Sequence, residues 1–261
     1  MQIRNALVTG GAKRLGRAMA LALAGEGFDV AVHYAGSAAA ADATVAEIAA
    51  AGRKAVALQA DLLDQDATEV LVSRAAAALG GPVTVLVNNA SIFEYDSIAT
   101  ATRDSWERHV GSNLRAPFFL TQALAAQAPP ASTDEHGEPL AEALVVNLID
   151  QRVRKLTPEF ATYTIAKMGL WAFTRTAAQG LAPRVRVNAI GPGPTLQGAR
   201  QSAQHFADQR AATVLKRGAN ASDITAALLY FLNAPAVTGQ LLCVDGGQHL
   251  AWETPDVLGV E

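Results

Sequence analysis

Tyr163 and Lys167 are the residues of this chain best suited, by type and spacing, to transfer a proton. They stand four positions apart in a helix-like pattern, and in a helix that spacing places both side chains on one face. A free phenol has a pKa of about 10, and a neighbouring ammonium stabilises the phenolate and lowers that pKa. The pair therefore predicts a phenol that serves as an acid, although two unrelated surface residues would show the same spacing.

Asp150 adds a carboxyl group to this pair, because it follows the apolar run 143–148, which predicts a buried strand. Ligands of parallel α/β sheets bind at the carboxyl ends of the strands. The residues that follow other predicted strands are Asp61, Asn88, Asn89, Ala90, Ser91, Gly191, Pro192 and Gly193. Asn, Asp and Gly also end strands without any function, but their convergence predicts one shared crevice.

A glycine-containing turn, Thr9-Gly10-Gly11-Ala12-Lys13-Arg14-Leu15-Gly16, lies between a strand pattern and a helix pattern. Glycines let backbone N–H groups approach a pyrophosphate, and the N-terminus of the following helix adds about half a positive charge. Lys13 and Arg14 add side-chain donors. The turn predicts a phosphate site, although a turn of this kind is a weak signal without the rest of the chain.

Short β-rich runs alternate with longer helical patterns along nearly the whole sequence. The predicted strands are 5–9, 29–34, 55–60, 83–88, 143–148, 185–190 and 240–244, and the predicted helices are 15–26, 38–51, 65–79, 104–127, 158–182 and 222–233. This alternation predicts a single α/β domain over 1–261, with a doubly wound, Rossmann-like parallel sheet of about seven strands and helices on both faces. The proline-rich segment 128–140 predicts an exposed loop.

Composition narrows the class of protein further. The chain has 261 residues, of which 50% are hydrophobic, so it is long enough to bury a large core. A net charge of -3 argues against a nucleic-acid partner. The single cysteine, Cys243, excludes an internal disulfide, and the histidines show no metal-ligand spacing. No apolar run approaches the roughly 20 residues that span a bilayer, so we expect a cytoplasmic protein with neither metal nor membrane partner.

Together these motifs make the sequence resemble the short-chain dehydrogenase/reductase family from about residue 3 to residue 247. The matching motifs are TGGAKRLG at 9–16, NNAS at 88–91, Asn113 in a long helix pattern, Tyr163 with Lys167, and Pro192-Gly193. The resemblance implies a Rossmann-like fold and a nicotinamide cofactor. It also implies that Tyr163 donates the proton, that Lys167 holds the nicotinamide ribose and lowers the Tyr163 pKa, and that Asn113 fixes a water.

Two departures from the family pattern are similar to the pteridine reductase branch, which includes bacterial alternative dihydrofolate or dihydromonapterin reductases. Arg14 replaces the middle glycine of the turn, and Asp150 replaces the usual catalytic serine. The branch also shares KRLGR at 13–17, His33-Tyr34, and NNASxF ending at Phe93. A carboxyl suits the reduction of a C=N bond, because the nitrogen needs a proton that a carboxyl relays from water. A simple turn-forming role is the alternative for Asp150.

The end of the second predicted strand favours NADPH over NADH. An NAD site has an acid there to bind the ribose 2′-hydroxyl, and 33–37 contains none. The donors available to a 2′-phosphate are Lys13, Arg14, His33 and Ser37, although Gly36 stands where related pteridine reductases carry an arginine. Asp61 and Leu62 resemble the family's adenine-contacting pair. The predicted cofactor-binding residues are Gly10, Lys13, Arg14, Leu15, Gly16, His33, Ser37, Asp61, Leu62, Asn89, Ala90, Ser91, Tyr163, Lys167, Pro192 and Gly193.

Phe93 is suited to lie against a flat pterin ring, a contact worth about 0.5–1.5 kcal/mol beyond buried area, although core packing would also explain it. Arg14 has the paired donors to bind a pterin carbonyl or a cofactor phosphate. The predicted substrate contacts are Arg14, Ser91, Phe93, Asp150 and Tyr163.

These residues predict NADPH-dependent reduction of a small molecule, a dihydropterin or dihydrofolate, with hydride to a ring carbon and a proton to the adjacent nitrogen. A carbonyl reductase of the 3-oxoacyl or quinone type is the alternative, and a catalytically silent nucleotide sensor is a third reading. The family resemblance implies that helices 104–127 and 158–182 pair in a homotetramer. The tail 248–261, with Trp252, lines the pocket, lines an interface, or simply packs.

Overall fold

The computed structural model describes residues 4–198 and 201–253, and a seven-stranded parallel sheet forms its centre. The strands are β1 (Asn5–Val8), β2 (Asp29–Tyr34), β3 (Ala55–Gln59), β4 (Val85–Asn88), β7 (Ala143–Leu148), β8 (Val185–Pro192) and β9 (Leu241–Val244), and a separate hairpin contains β5 (Ser132–Thr133) and β6 (Pro139–Leu140). The order across the sheet is β3-β2-β1-β4-β7-β8-β9. The order reverses between β1 and β4, so the predicted doubly wound topology is confirmed.

Helices cover both faces of this sheet. The helices are α1 (Arg14–Gly25), α2 (Ala38–Ala50), α3 (Gln65–Glu69), α4 (Leu71–Leu79), α5 (Arg103–Val110), α6 (Ala116–Gln127), α7 (Ala161–Leu181), α8 (Ala203–Ala211) and α9 (Ala221–Asn233). Val8 packs in a core cluster with side chains from α1, α2 and α9, whereas Leu7 packs in a second cluster with side chains from α4, α6 and α7. Successive residues of a strand point to opposite faces, so a strand buried on both sides reads as a continuous apolar run.

The predicted helix 104–127 is interrupted in the structure. It consists of α5, a π-helical turn at Gly111–Arg115, and α6. The physical reason is Pro117, which has no N–H to donate to the main-chain carbonyl of Asn113, four residues earlier. The interruption therefore falls at Asn113, a residue that the sequence marked for a functional role.

Other departures from the predicted elements lie at the edges of the sheet. The predicted helix 65–79 breaks at Val70 into α3 and α4, and the predicted loop 128–140 contains the β5–β6 hairpin. The helix α8 lies between β8 and α9, where the sequence patterns predicted no helix. The described part of the tail has one short 3₁₀ turn, Gln248–Leu250, and 254–261 lie outside the described residues. No helix within 4–198 or 201–253 has the length and hydropathy to cross a membrane.

The turn between β1 and α1 is tightly closed. Gly10 has a positive φ of 61°, and a Cβ at Gly16 would lie 2.0 Å from the Gly10 carbonyl oxygen. Asn89, which follows β4, donates its side-chain amide to the carbonyls of Thr9 and Gly10 at 2.8 and 3.2 Å. Only glycine fits at residues 10 and 16, because the first needs a left-handed backbone and the second needs the space of a missing side chain.

His33, the penultimate residue of β2, also holds this turn. Its Nδ1 accepts from the Gly10 N–H at 3.0 Å, so its Nε2 carries the hydrogen and donates to the Ala60 carbonyl at 3.1 Å. The side chain is 1% exposed, and burial lowers its pKa to about 4. The prediction that His33 contacts a 2′-phosphate is therefore wrong, because both ring nitrogens are used inside the protein. His33 acts on the turn instead.

We expect the neutral His33 ring to make folding stability depend on pH. An unfolded histidine has a pKa of about 6.5, so between 6.5 and about 4 the unfolded chain binds a proton that the folded chain excludes. The free energy of unfolding therefore falls as pH falls through this window, by on the order of 3 kcal/mol for this group.

Urea denaturation of the wild type and of His33→Gln across this window measures the effect. The variant should be less stable at neutral pH, because the bonds to Gly10 and Ala60 are not both replaced. The difference between the two proteins should shrink as the pH falls. A difference that stays constant with pH would contradict this account of His33.

Candidate active site

A cleft of about 500 Å³ opens at the carboxyl ends of β1, β4, β7 and β8. Most of the predicted site residues meet there. Those that line the cleft are Gly10, Lys13, Arg14, Leu15, Gly16, Asn89, Ala90, Ser91, Phe93, Asp150, Pro192 and Gly193. The sheet topology explains this convergence, because parallel strands bring their carboxyl ends to one edge.

Tyr163 and Asp150 form the chemical centre of this cleft. The Tyr163 hydroxyl donates to Asp150 Oδ2 at 3.0 Å, and the other carboxyl oxygen accepts from the Arg152 main-chain N–H at 2.8 Å. Asp150 comes two residues after β7, and Tyr163 lies in the first turn of α7. The carboxyl is thus held by the backbone on one side and meets the phenol on the other.

Burial raises the pKa of the Asp150 carboxyl, and the N–H of Arg152 and the charges of Arg152 and Lys167 oppose this only in part. Burial and the Asp150 carboxylate also raise the pKa of Tyr163 well above its ordinary value, while Arg152 and a hydrogen bond from Ser91 lower it. Both groups therefore favour their protonated forms. The arrangement is suited to giving a proton to a bound molecule.

Lys167 lies on the same face of α7 as Tyr163, as the spacing predicted. Its ammonium lies 5.6 Å from the centroid of the Tyr163 ring and donates to the Leu148 carbonyl at 2.8 Å. Burial lowers the Lys167 pKa to about 8. Burial and Asp150 raise the Tyr163 pKa more than its other neighbours lower it, and the effect of Lys167 on that pKa stays a prediction.

Asn113 braces the loop after β4. Its Oδ1 accepts from the Ile92 N–H at 2.9 Å, and its Nδ2 donates to the Ile92 carbonyl at 2.8 Å. Each polar atom of the amide thus has a main-chain partner on Ile92, and the predicted water-binding role of Asn113 stays a prediction.

Phe93 lies in the cleft and not in the core, since its side chain is 45% exposed. Its ring stacks on Phe160 with centroids 4.3 Å apart and meets Tyr163 edge-on at 4.7 Å. Core packing, the alternative reading of Phe93, is therefore excluded. The ring forms an apolar wall directly beside the phenol, where a flat substrate would lie.

Arg14 takes the left-handed backbone conformation usual for glycine, with φ of 53°. Its Nη1 donates to the Gln197 carbonyl at 2.9 Å and its Nη2 to the Leu196 carbonyl at 3.0 Å. Two of the five N–H donors of the guanidinium are thus used, and the others remain for a phosphate or a substrate carbonyl. Arg14 connects the glycine turn to the loop on the opposite side of the cleft.

The glycine turn fits the pyrophosphate of a dinucleotide. No side chain caps the N-terminus of α1, its first turn contains no acid, and Lys13 and Arg14 lie beside it. Ser37 stands before α2, and its side chain makes no capping bond. Asp61 is exposed, and Leu62 is buried. The uncapped N-terminus of α1 beside Lys13 and Arg14 has the features of an anion site.

The sequence reasoning missed a buried chain of polar groups behind Tyr163. The Glu94 N–H donates to His109 Nε2 at 3.1 Å, so His109 Nδ1 donates to the Thr162 hydroxyl at 2.7 Å. The Thr162 hydroxyl in turn donates to the Asp96 carboxylate. His109, which the sequence left without a role, therefore joins the loop that carries Phe93 to the first turn of α7. In the sequence, this role was indicated only by the place of a histidine at a core-facing position of a helix pattern.

Comparisons with known proteins agree with this geometry. The family model described as enoyl-(acyl carrier protein) reductase matches residues 10–249. A curated relative, the 3-oxoacyl-(acyl-carrier-protein) reductase FabG of Staphylococcus epidermidis, is 32% identical and covers 95% of this chain and 99% of its own.

Two solved structures are more similar in sequence. FolM alternative dihydrofolate reductase 1 from Brucella suis, in complex with NADP, is 42% identical with a TM-score of 0.90, over 97% of this chain and 98% of its own. FolM alternative dihydrofolate reductase 1 from Brucella canis, complexed with NADP, is 41% identical with a TM-score of 0.88, over 98% of each chain. On the family match, this identity and the shared fold, the chain belongs to the short-chain dehydrogenase/reductase family.

Proposed function

We propose that this protein is an NADPH-dependent reductase of a dihydropterin or dihydrofolate. The observation that carries the proposal is the hydrogen bond from the Tyr163 hydroxyl to Asp150 Oδ2, at 3.0 Å, beside the exposed Phe93 ring. The similarity to two proteins named alternative dihydrofolate reductase, at 42% and 41% identity, also supports a pterin or folate substrate.

The cofactor we propose is NADPH, which, when bound, supplies the hydride. The turn Gly10–Gly16 and the N-terminus of α1 would hold its pyrophosphate. Lys13, Arg14 and Ser37 would contact the 2′-phosphate, and no acid at the end of β2 opposes that charge. The residues that would flank the adenosine and the nicotinamide riboside are Asp61, Leu62, Leu15, Asn89, Ala90, Ser91, Tyr163, Lys167, Pro192 and Gly193.

The chain's own residues supply the proton that a C=N bond needs at nitrogen. Burial raises the pKa of the Asp150 carboxyl and of the Tyr163 phenol, which favours the protonated form of each group. Either the Asp150 carboxyl or the Tyr163 hydroxyl would donate its proton to a substrate nitrogen that lies between these two groups and the Phe93 ring. A serine hydroxyl in place of Asp150 would hydrogen-bond a carbonyl oxygen but would not carry a proton in from water.

A carbonyl reductase is the second candidate function. The observation that favours it is the similarity to curated relatives named 3-oxoacyl-(acyl-carrier-protein) reductase. Its proton donor would be the same Tyr163 hydroxyl. Turnover of an acetoacetyl thioester, compared with dihydrofolate and a simple dihydropterin, separates the two functions.

We also propose that the protein is a homotetramer. Large apolar side chains of α5, α6 and α7 are exposed, namely Trp106, Phe118, Ile165 and Met168. These helices lie almost entirely in the segments 104–127 and 158–182, whose sequences contain more apolar residues than packing against one sheet would bury. A second copy of the same helices would bury that surface at low cost, since the contact is self-complementary about a two-fold axis.

Replacing Tyr163 by Phe tests the proton donor. The change removes one oxygen and leaves the ring edge against Phe93 in place, so NADPH should bind within a few-fold of the wild-type affinity. Turnover of dihydrofolate should fall by about 100-fold or more, as expected for loss of a general acid. Steady-state rates and NADPH fluorescence titrations measure the two quantities, and a fully active variant would disprove this role of Tyr163.

Asp150 should give the rate a characteristic pH dependence. Its pKa is raised by burial, so kcat/KM for dihydrofolate should be highest where the carboxyl is protonated and should fall as the pH rises through that raised pKa. The variant Asp150→Ser should lose most of its pterin reduction together with this pH dependence. If Asp150→Ser reduced dihydrofolate with the wild-type pH profile, the argument for a nitrogen-protonating carboxyl would fail.

Light scattering coupled to size exclusion tests the proposed assembly. A homotetramer should give about four times the 27.2 kDa mass of one chain, and Ile165→Arg should lower that mass because it puts a charge into the apolar contact. The control Arg103→Ala changes an exposed residue at the start of α5 and should leave the mass unchanged. A wild-type mass of one chain would contradict the proposal.

A further inference from the structure

A second cleft of about 970 Å³ continues from the catalytic cleft, and nothing in the reaction described so far uses its outer part. Phe93, Ser91 and Arg14 belong to both clefts. The outer part is lined by Tyr95, Phe160, Glu159 and His205, and Arg152 stands where the two clefts meet. A substrate whose reactive ring lies at Phe93 therefore has room for a long arm.

The wall of this outer cleft is aromatic and ends in a cation. The Phe93 ring stacks on Phe160, the Tyr95 ring meets Phe160 edge-on at 5.3 Å, and the Arg152 guanidinium carbon lies 5.1 Å from the Phe160 centroid. Tyr95 is 59% exposed. The guanidinium is thus one aromatic ring beyond Phe93, on a surface suited to another flat group.

The Arg152 guanidinium forms no direct ion pair within residues 4–198 and 201–253, although its charge acts on the buried Asp150 carboxyl. Glu159, the exposed carboxylate of this cleft, does not pair with it. Its Nη1 donates to the Thr157 hydroxyl and, at 3.4 Å, to the Glu159 carbonyl, and its Nε is buried without an acceptor. Arg14, the other guanidinium here, has both terminal nitrogens on main-chain carbonyls. Arg14 also keeps unused donors, but it lies in the glycine turn that we propose holds the cofactor phosphates, so Arg152 is, among the residues described, the cation of this cleft left for an anion of the substrate.

We propose that Arg152 binds a carboxylate of an aromatic, acidic arm attached to the pterin (the benzoate of dihydropteroate or the glutamate of dihydrofolate), so that the site prefers dihydrofolate-like substrates to pterins without an acidic arm. The inference rests on the proposed pterin reductase function and names the part of the substrate that determines specificity. The arm lies along Phe160 and Tyr95, and its carboxylate accepts from the guanidinium. A planar guanidinium meets a carboxylate with two parallel hydrogen bonds, which a lysine cannot reproduce.

The test compares three substrates that differ only in the arm: 6-hydroxymethyl-dihydropterin, dihydropteroate and dihydrofolate. The variant Arg152→Gln should raise the KM ratio of dihydrofolate to the armless dihydropterin by about tenfold, as expected for loss of a charged hydrogen bond. Arg152→Lys should recover part of that ratio. Added salt should raise the wild-type KM for dihydrofolate and leave that of Arg152→Gln nearly flat, because the charge pair is screened.

Arg154→Gln is the matched control. Arg154 is exposed, lies against Trp171 outside both clefts, and should keep the wild-type KM ratio. If Arg152→Gln changes kcat by the same factor for all three substrates and leaves the KM ratio as in the wild type, the proposal is overturned, because Arg152 then acts only through Asp150. An unchanged KM ratio would overturn it as well.

Binding of folate, measured by calorimetry in the presence of NADP, separates this proposal from the proposed function. If the wild type reduces no pterin but binds folate more tightly than Arg152→Gln does, the reductase proposal fails and the carboxylate site stands. If folate binds the wild type and Arg152→Gln equally, the carboxylate site fails whatever the enzyme reduces.

Discussion

A hydrogen bond between a phenol and a carboxyl, from Tyr163 to Asp150 at the edge of the sheet, is the constraint on which the rest of the site depends. This bond needs a proton between two acidic groups, and burial favours that state by raising both pKa values. The protein supports the bond from both ends. The N–H of Arg152 fixes the carboxyl, and the chain from Thr162 through His109 to Glu94 fixes the turn of α7 that carries the phenol.

That support also determines where a substrate lies. The loop after β4 is held at Ile92 by Asn113, at Glu94 by His109 and at Asp96 by Thr162. Phe93 lies within this fixed segment, so its ring and the Tyr163 ring keep one relative position without a ligand to order them. Such preorganisation removes an entropic cost from binding and from proton transfer.

The sequence was sufficient for the architecture because strand and helix patterns are local. The continuous apolar runs at 83–88 and 143–148 predicted buried parallel strands, and β4 and β7 lie there. The sequence was insufficient for the contacts of the site, because the hydrogen-bond partner of a side chain is often distant in the chain. The ring of His33 was predicted to contact a 2′-phosphate, but the partners of its nitrogens, Gly10 and Ala60, come from two other segments. No pattern in the sequence reveals that burial and Asp150 raise the pKa of Tyr163.

Arg14 illustrates how a strained residue joins two parts of one site. A left-handed backbone costs a non-glycine residue roughly 1–2 kcal/mol, and glycine would avoid that cost at the same position in the turn. The guanidinium offsets it through two hydrogen bonds to the carbonyls of Leu196 and Gln197 across the cleft. A glycine there would leave the turn intact and the opposite loop unattached. The strain is therefore the cost of a connection between the phosphate turn and the loop on the opposite side of the cleft.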